Sequence, residues 1–297
     1  MTNLILSQLA GYTALEPVYQ GNHITVYRGQ EIASQRSVII KVLAQEYPSF
    51  GELMQFRHQY AVTQNLALPG IVSSLGLEPW GNGYALIMED FGGVDLGQYA
   101  QQHPLSLSDT LSIGLQLATI LHDLHQARVI HKDIKPANIL IHPETKQVKL
   151  IDFSIASLLP KETPTLQSPQ SLEGTLAYLA PEQTGRMNRG IDYRTDFYAL
   201  GVTLYQLLTG DLPFSSEDPL EVIHSHLAQI PTPVDQVNRA VPTVVAAIVT
   251  KLMAKNAEDR YQSALGLQHD LHQCLSQWQD RGEIREFPLG QRDIAFP

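Results

Sequence analysis

His131-Lys132-Asp133-Ile134-Lys135-Pro136-Ala137-Asn138 sets a carboxylate, an ammonium and an amide within six positions. A second carboxylate, Asp152, follows 14 residues after Asn138 and heads Asp152-Phe153-Ser154. Ala180-Pro181-Glu182 comes further on. The set suits the movement of a phosphoryl group. One carboxylate orients a hydroxyl, the ammonium offsets charge on the moving phosphate, and an amide oxygen with the second carboxylate offers hard ligands to a divalent metal.

The rest of the composition narrows the class. A chain of 297 residues is long enough for one large domain or two lobes with a real core. It is 43% hydrophobic and 17% charged, as expected of a soluble globular protein and not of a disordered one. The net charge of −10 argues against a general basic face, so no nucleic-acid partner is expected. Cys274 is the sole cysteine, which excludes an intrachain disulfide and a cysteine-rich zinc site. No apolar run approaches the roughly 18 residues of a spanning helix, so no membrane insertion is expected. No basic residue precedes the first apolar stretch, unlike a secretory signal, and the expected location is cytoplasmic.

Along the chain, residues 23–27 and 37–43 are β-branched runs bounded by turn residues and read as strands. Leu53, Phe56, Tyr60 and Thr63 recur at helical spacing within 48–66. Strands return at 71–77 and 84–88, joined by a turn at Gly81-Asn82-Gly83. Beyond Gly92-Gly93 the pattern is mostly helical. Ser106-Leu107-Ser108-Asp109 fits a capping box, and Leu111, Leu115, Ala118, Leu121 and His125 follow on one face. Further helices are expected at 194–209, ended by Gly210, and at 219–228, 241–254 and 261–278.

The order and spacing of these motifs resemble the eukaryotic-type serine/threonine protein kinase domain from about Tyr12 to Trp278. The resemblance implies an α+β, two-lobed fold: a small N-terminal β-rich lobe with one helix over 1–90, and a larger, mostly helical C-terminal lobe over 91–278. Residues 279–297 read as a linker-like tail. Within it, Phe287-Pro288-Leu289-Gly290-Gln291-Arg292-Asp293-Ile294 is similar to the exit sequence of N-terminal kinase domains in large bacterial signalling proteins, many of them cyanobacterial, so further covalent signalling domains are expected C-terminal to this chain.

The resemblance also implies roles. Asp133 would position the substrate hydroxyl and accept its proton, Lys135 would contact the γ-phosphate, and Thr175 would contact both. Asn138 and Asp152 would hold Mg²⁺. Lys41 would contact the α- and β-phosphates of ATP, Gly21 and Val26 would cover the nucleotide, and Met88-Glu89-Asp90-Phe91 matches the gatekeeper and hinge. Adenine would hydrogen-bond to backbone at Glu89 and Phe91, and Asp95 sits where the family often contacts ribose. His131 is read as a packing residue of the catalytic loop. Glu182 is expected to pair with Arg260, and Asp196 to brace the catalytic loop; these three are structural. Thr163, Thr165, Ser168 and Ser171 are candidate phosphosites.

Four positions depart from the family pattern. Of the three loop glycines, Tyr19 and Ile24 replace the outer two, which loosens the backbone cradle for phosphate. Gln59 takes the place of the helix glutamate that would pair with Lys41, and an uncharged partner makes a contact about half as strong. Ser154 stands for the glycine after Asp152-Phe153, where a positive φ would be disfavoured. Lys132 replaces the arginine before Asp133 and cannot grip a phosphate in bidentate fashion.

Three functions are compatible with these features: a protein kinase using Mg²⁺ and ATP, a pseudokinase that binds nucleotide or a partner, and a small-molecule kinase. Ala180-Pro181-Glu182 and the helix starting near Asp196 disfavour the third.

Overall fold

The computed structural model describes residues 9–158, 176–187 and 189–295. Two compact units emerge: Met1–Gly93 with Ile151–Ile155, and Val94–Leu150 with Ala156–Pro297. Among the described residues the first is β-rich with one helix and the second mostly helical, as the kinase resemblance implied.

The first unit is built on a five-stranded antiparallel sheet, in the order β1 (Tyr12–Gln20), β2 (Ile24–Glu31), β3 (Ser37–Leu43), β5 (Gly83–Glu89), β4 (Ser74–Trp80). Side chains alternate across it. Tyr27, Val38, Ile40, Val42, Ala85 and Ile87 point to one face and form a buried cluster with Leu9. The residues between them point to the other face. There Val26 lies opposite Lys41, and Lys41 opposite Leu86. The unit's helix α1 (Phe50–Thr63) starts from a capping box in which Ser49 and Glu52 satisfy each other's backbone N–H. Glu52 also takes a hydrogen bond from His23 at 3.1 Å, tying the β1–β2 hairpin tip to the helix start. Hydrogen bonds from Ser49 to the Glu52 carboxylate hold its pKa below the usual range.

The second unit opens with β6 (Val94–Asp95) and α2 (Leu96–Gln102), then α3 (Leu107–Gln126). The expected Ser106–Asp109 capping box is present. Short strands follow: β7 (Val129–Ile130), β8 (Ile139–Ile141), β9 (Val148–Leu150) and β10 (Ser157–Leu158), with β7 paired to β10 and β8 between β6 and β9. The central helix α4 (Arg194–Thr209) ends at Gly210 with φ of +84°, a conformation glycine adopts without cost. After it come α5 (Pro219–Ala228), α6 (Val234–Val237), α7 (Thr243–Leu252) and α8 (Ala264–Arg281). A Cβ added at Gly201 would lie 2.8 Å from both Leu252 and Met253, so the glycine lets α4 approach the end of α7 closely.

Beyond α8, residues 283–295 contain no helix or strand, yet they hydrogen-bond back onto the helix start. The Asp293 carboxylate accepts from Gln262 N (2.7 Å), Ser263 N (2.8 Å) and Ser263 Oγ (2.9 Å). Gly290 N donates to buried Asp270 at 2.7 Å. Asp293 thus reinforces the Ser263 N-cap of α8. Asp293→Ala should cost about 1–2 kcal/mol, the scale of a lost helix cap, read as a fall of a few degrees in Tm; an unchanged Tm would show that the tail adds nothing to the fold.

Candidate active site

The catalytic loop belongs to the second unit. Lys132 has φ of +68°, unusual for a residue with a side chain. The fully buried Asp196 carboxylate accepts from His131 N (3.0 Å), Lys132 N (2.8 Å) and His125 Nε2 (3.1 Å). His131 is fully buried, and its Nδ1 accepts from Asp133 N at 3.2 Å, so its ring acts within the loop as the sequence suggested.

Asp133 uses its two oxygens differently. Oδ2 accepts from Lys135 Nζ and from Asn138 Nδ2, each at 2.7 Å. Oδ1 is buried with no hydrogen-bond partner among the described residues. An acceptor left so is costly unless something completes it. Asn138 Nδ2 also donates to Asp133 O at 2.9 Å, in the 3-10 turn Pro136–Asn138. Its amide nitrogen is thereby committed to Asp133. Asp95 caps α2, its Oδ1 accepting from Gln98 N at 2.9 Å. Thr175 and the candidate phosphosites Thr163, Thr165, Ser168 and Ser171 lie outside the described residues.

The first unit gathers a second set. The Lys41 side chain is 9% exposed; its Nζ lies 3.4 Å from Asp152 Oδ2 and donates to Gln59 Oε1 at 3.1 Å. Glutamine thus stands where the sequence placed the lysine's helix partner, and Asp152 supplies the countercharge. Asp152 adopts φ of +63°, and its Oδ1 accepts from Ser154 N at 3.3 Å. Ser154 itself has no positive φ. The unusual backbone therefore sits on the aspartate, two residues before the expected place, and serine is accommodated there. Phe153 is buried.

The hairpin preceding Lys41 closes with Gly21 N donating to Ile24 O at 2.9 Å. A Cβ at Gly21 would meet the Tyr19 hydroxyl at 2.8 Å, so Tyr19, itself at a position the family gives to glycine, lies over the retained glycine. Val26 is half-buried and opposite Lys41. Met88 is buried on β5 and Phe91 half-buried just beyond it. The Glu89 side chain accepts from Ser73 N at 3.0 Å. Its carboxylate is turned to the residue that precedes β4.

Asp90 received no role from its sequence context, yet it organises this stretch. It accepts from Ser37 Oγ (2.7 Å), Arg28 Nε (2.8 Å) and Gly92 N (3.0 Å). Burial pushes its pKa up, but these bonds outweigh burial and hold it below the usual carboxylate range. Nothing local announces partners 53 and 62 residues away.

Glu182 and Arg260 form the expected pair, a buried bidentate contact at 2.7 and 2.8 Å. Thr195 Oγ1 donates to Glu182 Oε1 at 2.7 Å.

Comparison with known proteins agrees with this arrangement. The family described as "Protein kinase domain" matches residues 12–272. PrkC, a serine/threonine-protein kinase of Bacillus subtilis, is 33% identical over 273 residues, 90% of this chain and 41% of the relative. PknB, a serine/threonine-protein kinase of Mycobacterium leprae, is 33% identical over 264 residues, covering 84% and 41%. A probable serine/threonine-protein kinase of Clostridium perfringens is 30% identical over 262 residues, covering 88% and 38%. The chain thus spans about two-fifths of the length of these curated relatives. With that match across most of its length, and with the aspartate, lysine and asparagine of its catalytic loop already bound to one another, the chain belongs to the protein kinase domain family.

Proposed function

We propose that this chain is a serine/threonine protein kinase domain of bacterial signalling, transferring the γ-phosphate of ATP to protein hydroxyls with Mg²⁺. Asp133 carries the reading: Lys135 and Asn138 hold one oxygen while the other is buried and has no partner among the described residues. That oxygen is suited to accept the hydrogen of a serine or threonine hydroxyl and, late in the reaction, its proton. The hydroxyl oxygen forms the new bond to the γ-phosphorus, the bridging bond to the β-phosphate breaks, and ADP leaves. Lys135 offsets negative charge on the group in transit as a point charge, and Thr175 helps orient Asp133 and Lys135.

In the same reading Lys41 binds the α- and β-phosphates. Gly21 lets the hairpin backbone approach the phosphates, Val26 and Met88 line adenine, backbone groups of Glu89 and Phe91 hydrogen-bond its edge, and Asp95 binds ribose. Asn138 and Asp152 are the metal ligands. The donor set fits Mg²⁺, which takes few protein oxygens and completes its shell with phosphate and water. Among the described residues there is no cluster of three histidine, cysteine or acidic side chains able to hold a metal by itself. When bound, the ion neutralises phosphate charge. No helix among the described residues is long and apolar enough to cross a membrane. A cytoplasmic setting, where ATP is supplied, suits this activity.

The test of the metal assignment is binding. ATP should raise the Tm more with Mg²⁺ than with chelator, and Asp152→Ala should abolish the difference. An equal Mg²⁺-dependent rise in the variant would refute the assignment.

One observation favours a pseudokinase as second reading: Lys41 meets a neutral helix partner while Tyr19 covers Gly21. Gln59→Glu separates the two. If the missing charge limits turnover, the variant should raise kcat/KM several-fold, since charge-assisted contacts are about twice as strong as neutral ones. An unchanged rate would show that Asp152 already supplies the charge Lys41 needs.

A further inference from the structure

Gln183 follows the Glu182 anchor and lies in the 3-10 turn Pro181–Thr184. Its side-chain amide makes two bonds of opposite sense. Oε1 accepts from Ala180 N at 2.9 Å, and Nε2 donates to Lys132 O at 2.9 Å. Lys132 is the left-handed residue immediately before Asp133. Its peptide N–H is already held by Asp196 at 2.8 Å. Both polar backbone groups of this residue are therefore gripped by side chains from elsewhere in the unit.

The grips join into a ring. Glu182 is bonded by Thr195, and Thr195 is followed by Asp196. Asp196 holds Lys132 N, Lys132 O takes Gln183, and Gln183 follows Glu182. Two pairs of chain neighbours and one loop residue thus close a hydrogen-bonded circuit, and Arg260 pins it at Glu182. A left-handed conformation at a lysine is disfavoured, and such backbone persists where its surroundings over-determine it. Asp196 alone fixes only the N–H side. Rotation of the following peptide would swing the Asp133 carboxylate, and small misplacements at a reacting centre are costly in rate.

We propose that Gln183 is a positioning residue for phosphoryl transfer, fixing the Lys132 carbonyl and so the direction of Asp133, and coupling the segment at 180–184 to the catalytic loop. The proposal rests on the kinase reading. Gln183 touches neither nucleotide nor reacting atoms in this account; it acts through Lys132.

Gln183→Glu isolates the contact. A carboxylate keeps an acceptor for Ala180 N and loses the donor to Lys132 O. Steady-state kinetics on the whole chain should show kcat reduced about tenfold with KM for ATP changed less than about twofold, the signature of an interaction lost in the transition state and not in nucleotide binding. Hydrogen exchange at the amides of 131–133 should quicken, and exchange within α4 should not change. A lower Tm with kcat unchanged well below it would make the residue merely structural and overturn the proposal, as would unchanged kcat together with unchanged exchange. The exchange arm needs no turnover. If the wild type transfers no phosphate, the kinase reading fails and the role in transfer with it. Faster exchange in the variant would then still establish the grip on Lys132, and unchanged exchange would remove that as well.

Discussion

Asp133→Asn should lower kcat by roughly a thousandfold, within the 10²–10⁴ range that general-base catalysis contributes. Asparagine matches aspartate in shape, and its carbonyl can still accept from Lys135 and Asn138, which now hold Oδ2 at 2.7 Å. The loop should therefore keep its form. What disappears is the second carboxylate oxygen, the buried Oδ1 that no described residue satisfies. An amide NH₂ there can only donate, so it repels the hydroxyl hydrogen that the carboxylate would accept. Affinity for ATP, measured by titration, should stay within about twofold because Asp133 is assigned to the hydroxyl substrate. A fall of less than about tenfold in kcat would show that Asp133 is not the group that handles the proton. A fall in Tm of more than a few degrees would show that the loop had been disturbed instead.

Arg260→Met is expected to have the largest effect on stability. The guanidinium is fully buried and makes a bidentate contact to Glu182 at 2.7 and 2.8 Å. It also donates to the carbonyls of Ala254 (2.8 Å), Arg194 (3.0 Å) and Lys255 (3.1 Å). Removing one member of a buried pair leaves the other charge uncompensated, at a cost of about 3–5 kcal/mol. For a chain of this size that is a fall in Tm of roughly 10 °C. Replacing Glu182 as well removes the stranded carboxylate, so the double variant Arg260→Met with Glu182→Met should recover part of the loss. If the double variant is less stable than the sum of the singles predicts, the penalty comes from packing around Arg260 and not from the unpaired charge.

What could be read from residue order was whatever chemistry places close together in sequence. Asp133, Lys135 and Asn138 are neighbours, and the structure shows them bonded to one another. Capping signals located helix ends well: Ser106 with Asp109 opens α3 and Gly210 closes α4. Apolar periodicity located them less well. The last helix was expected from 261 but starts at Ala264, because the Ser263 side chain caps Gly266 N and the buried Tyr261 lies in the link after the 3-10 turn Ala257–Asp259. Strand β1, which has register shifts between Thr13 and Glu16 and between Pro17 and Tyr19, showed no clean alternation. Strands β6 to β10, of two or three residues each, are too short to give a period.

Contacts distant in sequence were legible only where the family resemblance named them. Lys41 with Gln59 and Glu182 with Arg260 were anticipated in that way, and both contacts are present. Arg28 with Asp90 and Gln183 with Lys132 were not, since a polar side chain carries no local mark of the partner it will meet. The same holds for backbone strain. A glycine-to-serine change drew attention to residue 154, whereas the positive φ lies on Asp152, which Ser154 N helps to hold. Sequence shows which residue is unusual for its place; the folded chain shows which residue carries the cost.

Phosphoryl transfer is tested most simply by incubating the chain with γ-labelled ATP, Mg²⁺ and a generic basic protein, and identifying the amino acids that become labelled. Label is expected on serine and threonine, in the chain or the added protein. Absence of label, with ATP still raising the Tm, would contradict the kinase reading and leave a domain that binds nucleotide without transferring phosphate.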